Sequence, residues 1–300
     1  MTVTPPALRP GPPVELPPGR IVDVPGRGEM FLRDSGGDGP AVLLLHGWMF
    51  SADTNFSTTY APLGAAGYRV LAIDHRGHGR GLRSPDPFRL QDCAADAAAL
   101  IEELGCGPVV VIGYSMGGPI GQLMARDHSG AVAGVVFCAT STEWQDRRLR
   151  PVWAAMGVVR AALGLWPHRI WLRMLRTGDL ASAASGAWVA TELTRGSARD
   201  LAEAGRELGR YDSRAWVGDL VVPAAVVVTM KDDLVAPRKQ RDLARRLSAP
   251  TFEVAGDHSA VSAVAPLFNR ALLAALADVV SRGAGSGRAA GAGRADAATA

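Results

Sequence analysis

Short β-like runs that alternate with helix-spaced apolar residues limit the folds open to this chain more than any other feature. The runs are AVLLLHG (41–47), YRVLAIDHRG (68–77), PVVVIGYS (108–115), AVAGVVFCAT (131–140), PAAVVVTMKD (223–232) and the shorter TFEVAGDH (251–258). Most are continuously apolar, the pattern of strands covered on both faces in a parallel sheet. The last suits an edge. Cys93, Ala97, Leu100, Ile101 and Leu104 recur at helical spacing, as do Ile120, Leu123 and Met124, and then Phe268, Leu272 and Leu276. These predict crossover helices, and with them an α/β fold whose mostly parallel central sheet carries helices on both faces.

Residues 20–40 read as two short strands meeting at a Pro-Gly turn, an antiparallel edge on that sheet. Residues 141–218 break the alternation. They hold no strand candidate and read as helices interrupted at Gly164, Pro167 and Gly178, an inserted helical lid between core segments 20–140 and 219–282. Of the seven tryptophans, all but Trp48 fall in this insertion: Trp144, Trp153, Trp166, Trp171, Trp188 and Trp216. Residues 1–19 form a flexible Pro-rich arm with no apolar core of a signal peptide. Residues 283–300 offer almost nothing to bury and read as a disordered tail.

With 300 residues and 48% hydrophobic content, the chain can bury one large core and a modest insertion. Its net charge of +3 comes without the Lys/Arg runs that track a phosphate backbone, so nucleic acid is not an expected partner. Three cysteines, Cys93, Cys106 and Cys138, do not make a disulfide framework. They read as small buried hydrophobes in a reducing compartment, and a cytoplasmic location is the expectation. No apolar run is long enough to span a bilayer, so stable membrane insertion is not expected.

The segment VVVIGYSMGGPIGQLMARD (109–127) raises a strand straight into a helix through a turn that carries a lone serine. Gly113 and Gly117 around Ser115 match the G-x-S-x-G elbow, in which small neighbours let strand and helix approach while the helix N-terminus turns amides toward the hydroxyl. A serine hydroxyl is a weak nucleophile at neutral pH. It needs a base, and the base needs a group that holds its tautomer. Asp232 and His258 both follow strand candidates, where an open α/β sheet gathers its site. Asp233 is adjacent to Asp232, and only one of the two can face the histidine.

Taken together, LLLHGW, DHRGHGRG, GYSMGG, KDDLVAP and GDH occur in the order found in the α/β-hydrolase superfamily. Over residues 20–282 the chain resembles its small, lid-bearing serine hydrolases and esterases. The resemblance implies Ser115 as nucleophile, His258 as general base and acid, and Asp232, favoured over Asp233 by the KDDLVAP pattern, as the residue orienting His258. It also implies an oxyanion hole made by the backbone N–H groups of Trp48 and Met116. Relatives that attack epoxides or haloalkanes use an aspartate nucleophile, which Ser115 argues against. No cofactor is implied.

Trp48, Tyr114, Trp144 and Trp153 are candidates to line an apolar substrate pocket. A small hydrophobic acyl or aromatic ester is the leading substrate class. Carbon–carbon bond, thioester or lactone hydrolysis and cofactor-free perhydrolase or haloperoxidase activity are alternatives on the same residues, and a ligand receptor or carrier is the non-enzyme alternative. His46 reads as shaping the loop after the first parallel strand. Asp74, His75, Arg76 and His78 read as ordering a loop, since no second ligand cluster accompanies them to hold a metal. Arg147, Arg148, Arg150, Arg160, Arg169, Arg173 and Arg176 lie among apolar residues with no acidic residue between 147 and 176. They read as arginines reaching from the outer face of lid helices, or as a surface for membranes or anionic substrates. Asn55 stands in an NFS sequon to which no role is given.

Overall fold

The structure, a computed structural model, describes residues 12–165, 167 and 183–296. Its strands are β1 (Gly19–Val24), β2 (Gly28–Asp34), β3 (Ala41–Leu45), β4 (Arg69–Ile73), β5 (Val109–Tyr114), β6 (Val132–Cys138), β7 (Ala224–Thr229) and β8 (Thr251–Val254). The helices, in chain order, are α1 (Ala52–Phe56), α2 (Tyr60–Ala65), α3 (Leu90–Glu103), α4 (Gly117–Asp127), α5 (Arg150–Ala154), α6 (Met156–Leu165), α7 (Ala183–Leu193), α8 (Ala198–Arg210), α9 (Pro237–Arg246), α10 (Ala260–Ala263) and α11 (Ala265–Asp296).

All eight strands form one sheet in the order β1-β2-β4-β3-β5-β6-β7-β8. β2 is antiparallel to both its neighbours, and from β4 to β8 every pairing is parallel. β5 therefore lies mid-sheet, with Leu45 of β3 beside Gly113 and Cys138 of β6 beside Tyr114. This register brings three strand ends to one place. Strands β5 and β7 are buried along their whole length, which is why they read as unbroken apolar runs.

One core lies between the sheet and helices α3 and α4, holding Leu43, Leu100, Ile120, Val135 and Phe137. The other lies under α11, where Phe268, Leu272, Leu276 and Val279 cover Val42, Ile112 and Val227. Each such fully buried side chain contributes roughly 2 kcal/mol. Cys93 and Cys138 are buried and Cys106 half-buried, all three as free thiols.

Two boundaries differ from the sequence expectation. Helix α11 runs to Asp296, through residues 283–296 that composition assigns to a disordered tail. Extending a helix already anchored by Phe268–Val279 adds a hydrogen bond for each residue fixed, and the stretch is rich in alanine, the best helix former. At the other end, β1 starts within the expected arm. The Arg33 guanidinium donates to the Pro17 carbonyl (2.8 Å), and Asp34 N donates to Pro18 O (3.1 Å).

Helices α5 to α8 are inserted between β6 and β7. The two ends of the insertion meet in a bridge between Glu143 and Asp212, and Ser213 N donates to Thr142 O (2.8 Å). Ser197 begins α8 by accepting from Asp200 N. Trp166, His168, Arg169, Trp171, Arg173, Arg176 and Gly178 lie outside the described residues. Among the described residues no helix is long and apolar enough to cross a membrane.

Candidate active site

Ser115 follows β5 directly and has φ of +53°, a left-handed conformation that costs a non-glycine residue about 1–2 kcal/mol. Its neighbours hold it there. Ser115 N donates to Cys138 O at the end of β6 (2.9 Å), and Ser115 O accepts from Gly118 N (2.9 Å) and Thr140 Oγ1 (2.8 Å). Glycine is obligatory on both sides. A Cβ on Gly113 would stand 2.4 Å from Gly117 O, and one on Gly117 would stand 2.0 Å from Leu45 O.

His258 lies in the loop after β8, with Nε2 2.9 Å from Ser115 Oγ and Nδ1 2.8 Å from Asp232 Oδ2. With Nδ1–H donating to a carboxylate, Nε2 is left as the acceptor for the serine hydroxyl. Of the adjacent aspartates, Asp232 meets the imidazole, while Asp233 is exposed. The Asp232 carboxylate is surrounded by donors. Oδ1 accepts from Leu234 N (2.9 Å) and Val235 N (2.8 Å), and Oδ2 accepts from Thr229 Oγ1 (2.8 Å). Gln240 of α9, fully buried, donates through Nε2 to Thr229 Oγ1 (2.8 Å) and reaches Oδ2 at 3.3 Å.

The loop after β3 lies against the serine, since a Cβ on Gly47 would stand 3.3 Å from Ser115 Cβ. Asn55 Oδ1 accepts from Gly47 N (2.7 Å), and His46 Nδ1 donates to Gly47 O (2.8 Å). His46 Nε2 accepts from His75 N (3.0 Å), so the neutral ring has both nitrogens committed. Burial pushes its pKa down to about 4, which keeps it uncharged. The amides of Trp48 and Met116 follow Gly47 and Ser115, and among the described residues neither has a hydrogen-bond partner.

The other aromatic candidates divide. Trp48 Nε1 donates to Leu201 O in α8 (2.7 Å), and its ring lies 5.4 Å from that of Trp153. Both rings are half-buried, Trp153 on α5 and Trp48 on the loop after β3, where that loop meets the inserted helices. Trp144 is instead in the core at 2% exposure. Tyr114 corrects the expectation of a substrate contact. It is buried among Phe56 and Phe268, on the sheet face that α11 covers, and its hydroxyl donates to His258 O (2.8 Å). It supports the histidine from beneath.

Asp74 accepts from Ala52 N (2.7 Å) and Arg80 N (2.8 Å), and Arg76 clamps Asp96 through two bonds of 2.7 and 2.8 Å. Among the described residues no group of three or more His, Cys, Asp or Glu could hold a metal ion. The loop that follows instead holds the insertion in place. Ser197 N donates to Gly77 O (2.7 Å), Arg83 to Arg195 O (2.6 Å) and Phe88 N to Glu203 Oε2 (2.8 Å). Arg80 faces Glu192 at 3.6 Å.

Asn55, Thr229, Gln240 and the hydroxyl of Tyr114 escape sequence reasoning. Asn55 carries a sequon that draws attention elsewhere, and the others carry no local signal at all.

A family model described as alpha/beta hydrolase fold matches residues 40–261. A non-heme haloperoxidase of Rhodococcus erythropolis is 38% identical over 110 residues, 36% of this chain and 39% of that protein. A bifunctional esterase/perhydrolase of Acinetobacter calcoaceticus is 34% identical over 111 residues, 36% of this chain and 40% of that protein. The chain thus matches about two-fifths of the length of these curated relatives. Among solved structures, a bromoperoxidase from Bacillus anthracis superposes with a TM-score of 0.76 at 20% identity, over 87% of this chain and 100% of that one, a likeness of fold.

Proposed function

Because the chain belongs to the alpha/beta hydrolase family, we propose that it is a serine hydrolase that cleaves a carboxylic ester, or a related acyl bond, of a small hydrophobic substrate. One observation carries this reading: the chain of hydrogen bonds from Asp232 through His258 to a serine hydroxyl at a left-handed elbow. Ser115 Oγ attacks the carbonyl carbon while His258 Nε2 takes its proton. Asp232 holds the tautomer and stabilises the imidazolium. The unpartnered amides of Trp48 and Met116 receive the developing oxyanion, each worth on the order of 3 kcal/mol in the transition state. His258 then protonates the leaving group, and a water it activates hydrolyses the acyl-enzyme.

Trp48, Trp153 and the helices inserted above them act as an apolar wall and lid, which favours hydrophobic acyl or aromatic esters. The likeness to proteins named haloperoxidase and perhydrolase favours a second reading, in which hydrogen peroxide replaces water at deacylation and releases a peracid. The free cysteines support a cytoplasmic setting.

A fluorophosphonate probe followed by peptide mapping tests the nucleophile: label on Ser115 supports the proposal, and label elsewhere overturns it. Nitrophenyl esters of increasing acyl length test the substrate class. Binding without turnover, unaltered in Ser115→Ala, marks a carrier instead.

A further inference from the structure

Asn55 has a use that its sequon does not suggest. It is 6% exposed, so the Asn-Phe-Ser triplet is sealed in the fold. Its carboxamide oxygen accepts from Gly47 N (2.7 Å), and among the described residues its side chain makes no other hydrogen bond. A buried polar group that spends its whole hydrogen bonding on one amide of the loop after β3 fixes that amide.

Gly47 is where this matters. Its N–H belongs to one peptide plane, and its C=O belongs to the next, the plane that also carries Trp48 N–H. The two planes meet at a glycine, which offers little torsional resistance of its own. Gly47 O accepts from His46 Nδ1 (2.8 Å) and Phe50 N (3.4 Å), both within the loop. Among the described residues only Asn55 bonds this glycine from outside the loop. The glycine also lies against the nucleophile. A Cβ on it would stand 3.3 Å from Ser115 Cβ, 3.8 Å from Ser115 Oγ and 3.4 Å from Asn55 Oδ1, so the carboxamide holds the loop on the side that faces the serine.

The carboxamide is itself held still. Helix α1 is buried at all five residues, and Ser51 caps it: Ser51 Oγ accepts from Thr54 N (3.2 Å) while Thr54 Oγ1 accepts from Ser51 N (2.8 Å). Asp53 accepts from Arg33 Nε (3.1 Å) and Nη2 (2.8 Å), and Ala52 N donates to Asp74 Oδ1 (2.7 Å). A group braced this firmly can hold another.

We propose that Asn55 is a positioning residue for the reaction: by fixing the Gly47 amide it aims the Trp48 N–H at the oxyanion that forms on the carbonyl attacked by Ser115. This role rests on the serine-hydrolase reading. Asn55 acts through the loop and not by binding substrate.

The test uses the full chain and counts working sites by fluorophosphonate titration taken to completion. Kinetics with nitrophenyl butyrate are compared with inhibition by a trifluoromethyl ketone, whose tetrahedral adduct with Ser115 places a negative oxygen where the oxyanion forms. Asn55→Ala is expected to lower kcat per titrated site about ten- to a hundredfold, to leave KM within about twofold, and to weaken the ketone by the same factor as kcat. Should alanine disturb folding, as read by circular dichroism, Asn55→Leu keeps the side-chain volume without the acceptor and replaces it. In a folded variant, kcat per site and ketone affinity within about twofold of wild type overturn the proposal. So does a loss confined to the number of titratable sites, the mark of a purely structural residue, or a change in KM alone, the mark of a substrate contact. Wild-type protein without ester turnover or label on Ser115 fails the hydrolase reading itself, and the assignment of Asn55 falls with it.

Discussion

At the strand ends the structure leaves almost no freedom. Asp232 has a donor for each of its carboxylate oxygens, the Ser115 turn is bonded on both sides, and a Cβ on Gly113 or Gly117 would meet backbone. The inserted helices are held differently. Their second half, α7 and α8, is tied to residues 77–88 by bonds from Ser197, Arg83 and Phe88, while their first half, α5 and α6, presents Val158 and Leu165 to solvent. One region is fixed throughout by close packing and hydrogen bonds, the other is tied at one end and exposed at the other. Under the proposed function, the first region carries the chemistry and the second the choice of substrate.

The sharpest break of this comparison is Ser115→Ala. Turnover of nitrophenyl esters should fall by about 10^4-fold or more with the fold intact, because the nucleophile is lost and its supports are not. If most activity survives, the strand-end cluster is not where the reaction occurs. Next comes the aspartate pair. Asp232→Asn should cost about 10^3- to 10^4-fold in kcat, and Asp233→Asn less than about threefold, since only the first orients the imidazole.

A third prediction concerns the loops after β3 and β4, where His46, His75 and His78 are buried together with ring centroids 4.2 to 6.4 Å apart. Burial lowers the His46 pKa from 6.5 to about 4 and that of His78 to about 3, and pushes His75 well below its usual value. Below pH 6.5 the unfolded chain takes up these protons and the folded chain does not. Stability is therefore complete above that pH and declines as pH falls toward 4, by about 3 kcal/mol for His46 alone. Urea midpoints between pH 7 and 4 measure this. His75→Leu should flatten the dependence, because it removes a ring whose two nitrogens have no partner.

Smaller effects separate the regions further. Gln240→Ala should lower kcat about ten- to a hundredfold with KM within about twofold, because it loosens the carboxylate that sets the imidazole. Gly205→Ala adds a Cβ 2.4 Å from Met156 Sδ and 2.8 Å from the Trp48 ring. Methionine can give way, so KM should change by only about three- to fivefold, with fluorophosphonate labelling of Ser115 unaffected. Equal loss in labelling would show that the insertion also positions the nucleophile.

Much of this was legible without coordinates. Strands β3 to β8 stand out because a parallel sheet covered on both faces demands apolar runs, and the Gly-Ser-Gly spacing at 113–117 stands out because the turn tolerates no Cβ. Asp232 and His258 are legible as residues following strands. Tyr114 departs from its expected place in a pocket wall. Its place beside the serine in sequence suggests a pocket wall, but the alternation of β5 sends it into the core beneath His258. Gln240 and Asn55 were not legible, because each acts on a loop that only folding brings beside it.

The sequence by itself determined the order of strands and helices, the elbow and the polar groups available at the strand ends, since these follow from periodicity, volume and local backbone geometry. Tertiary structure alone decided that Tyr114 lies beneath His258, that Gln240 and Asn55 brace the loops beside Ser115, and which face of α6 stays uncovered. Those outcomes depend on distances between segments up to 143 residues apart, as Ser115 and His258 are, and no local pattern encodes such a distance.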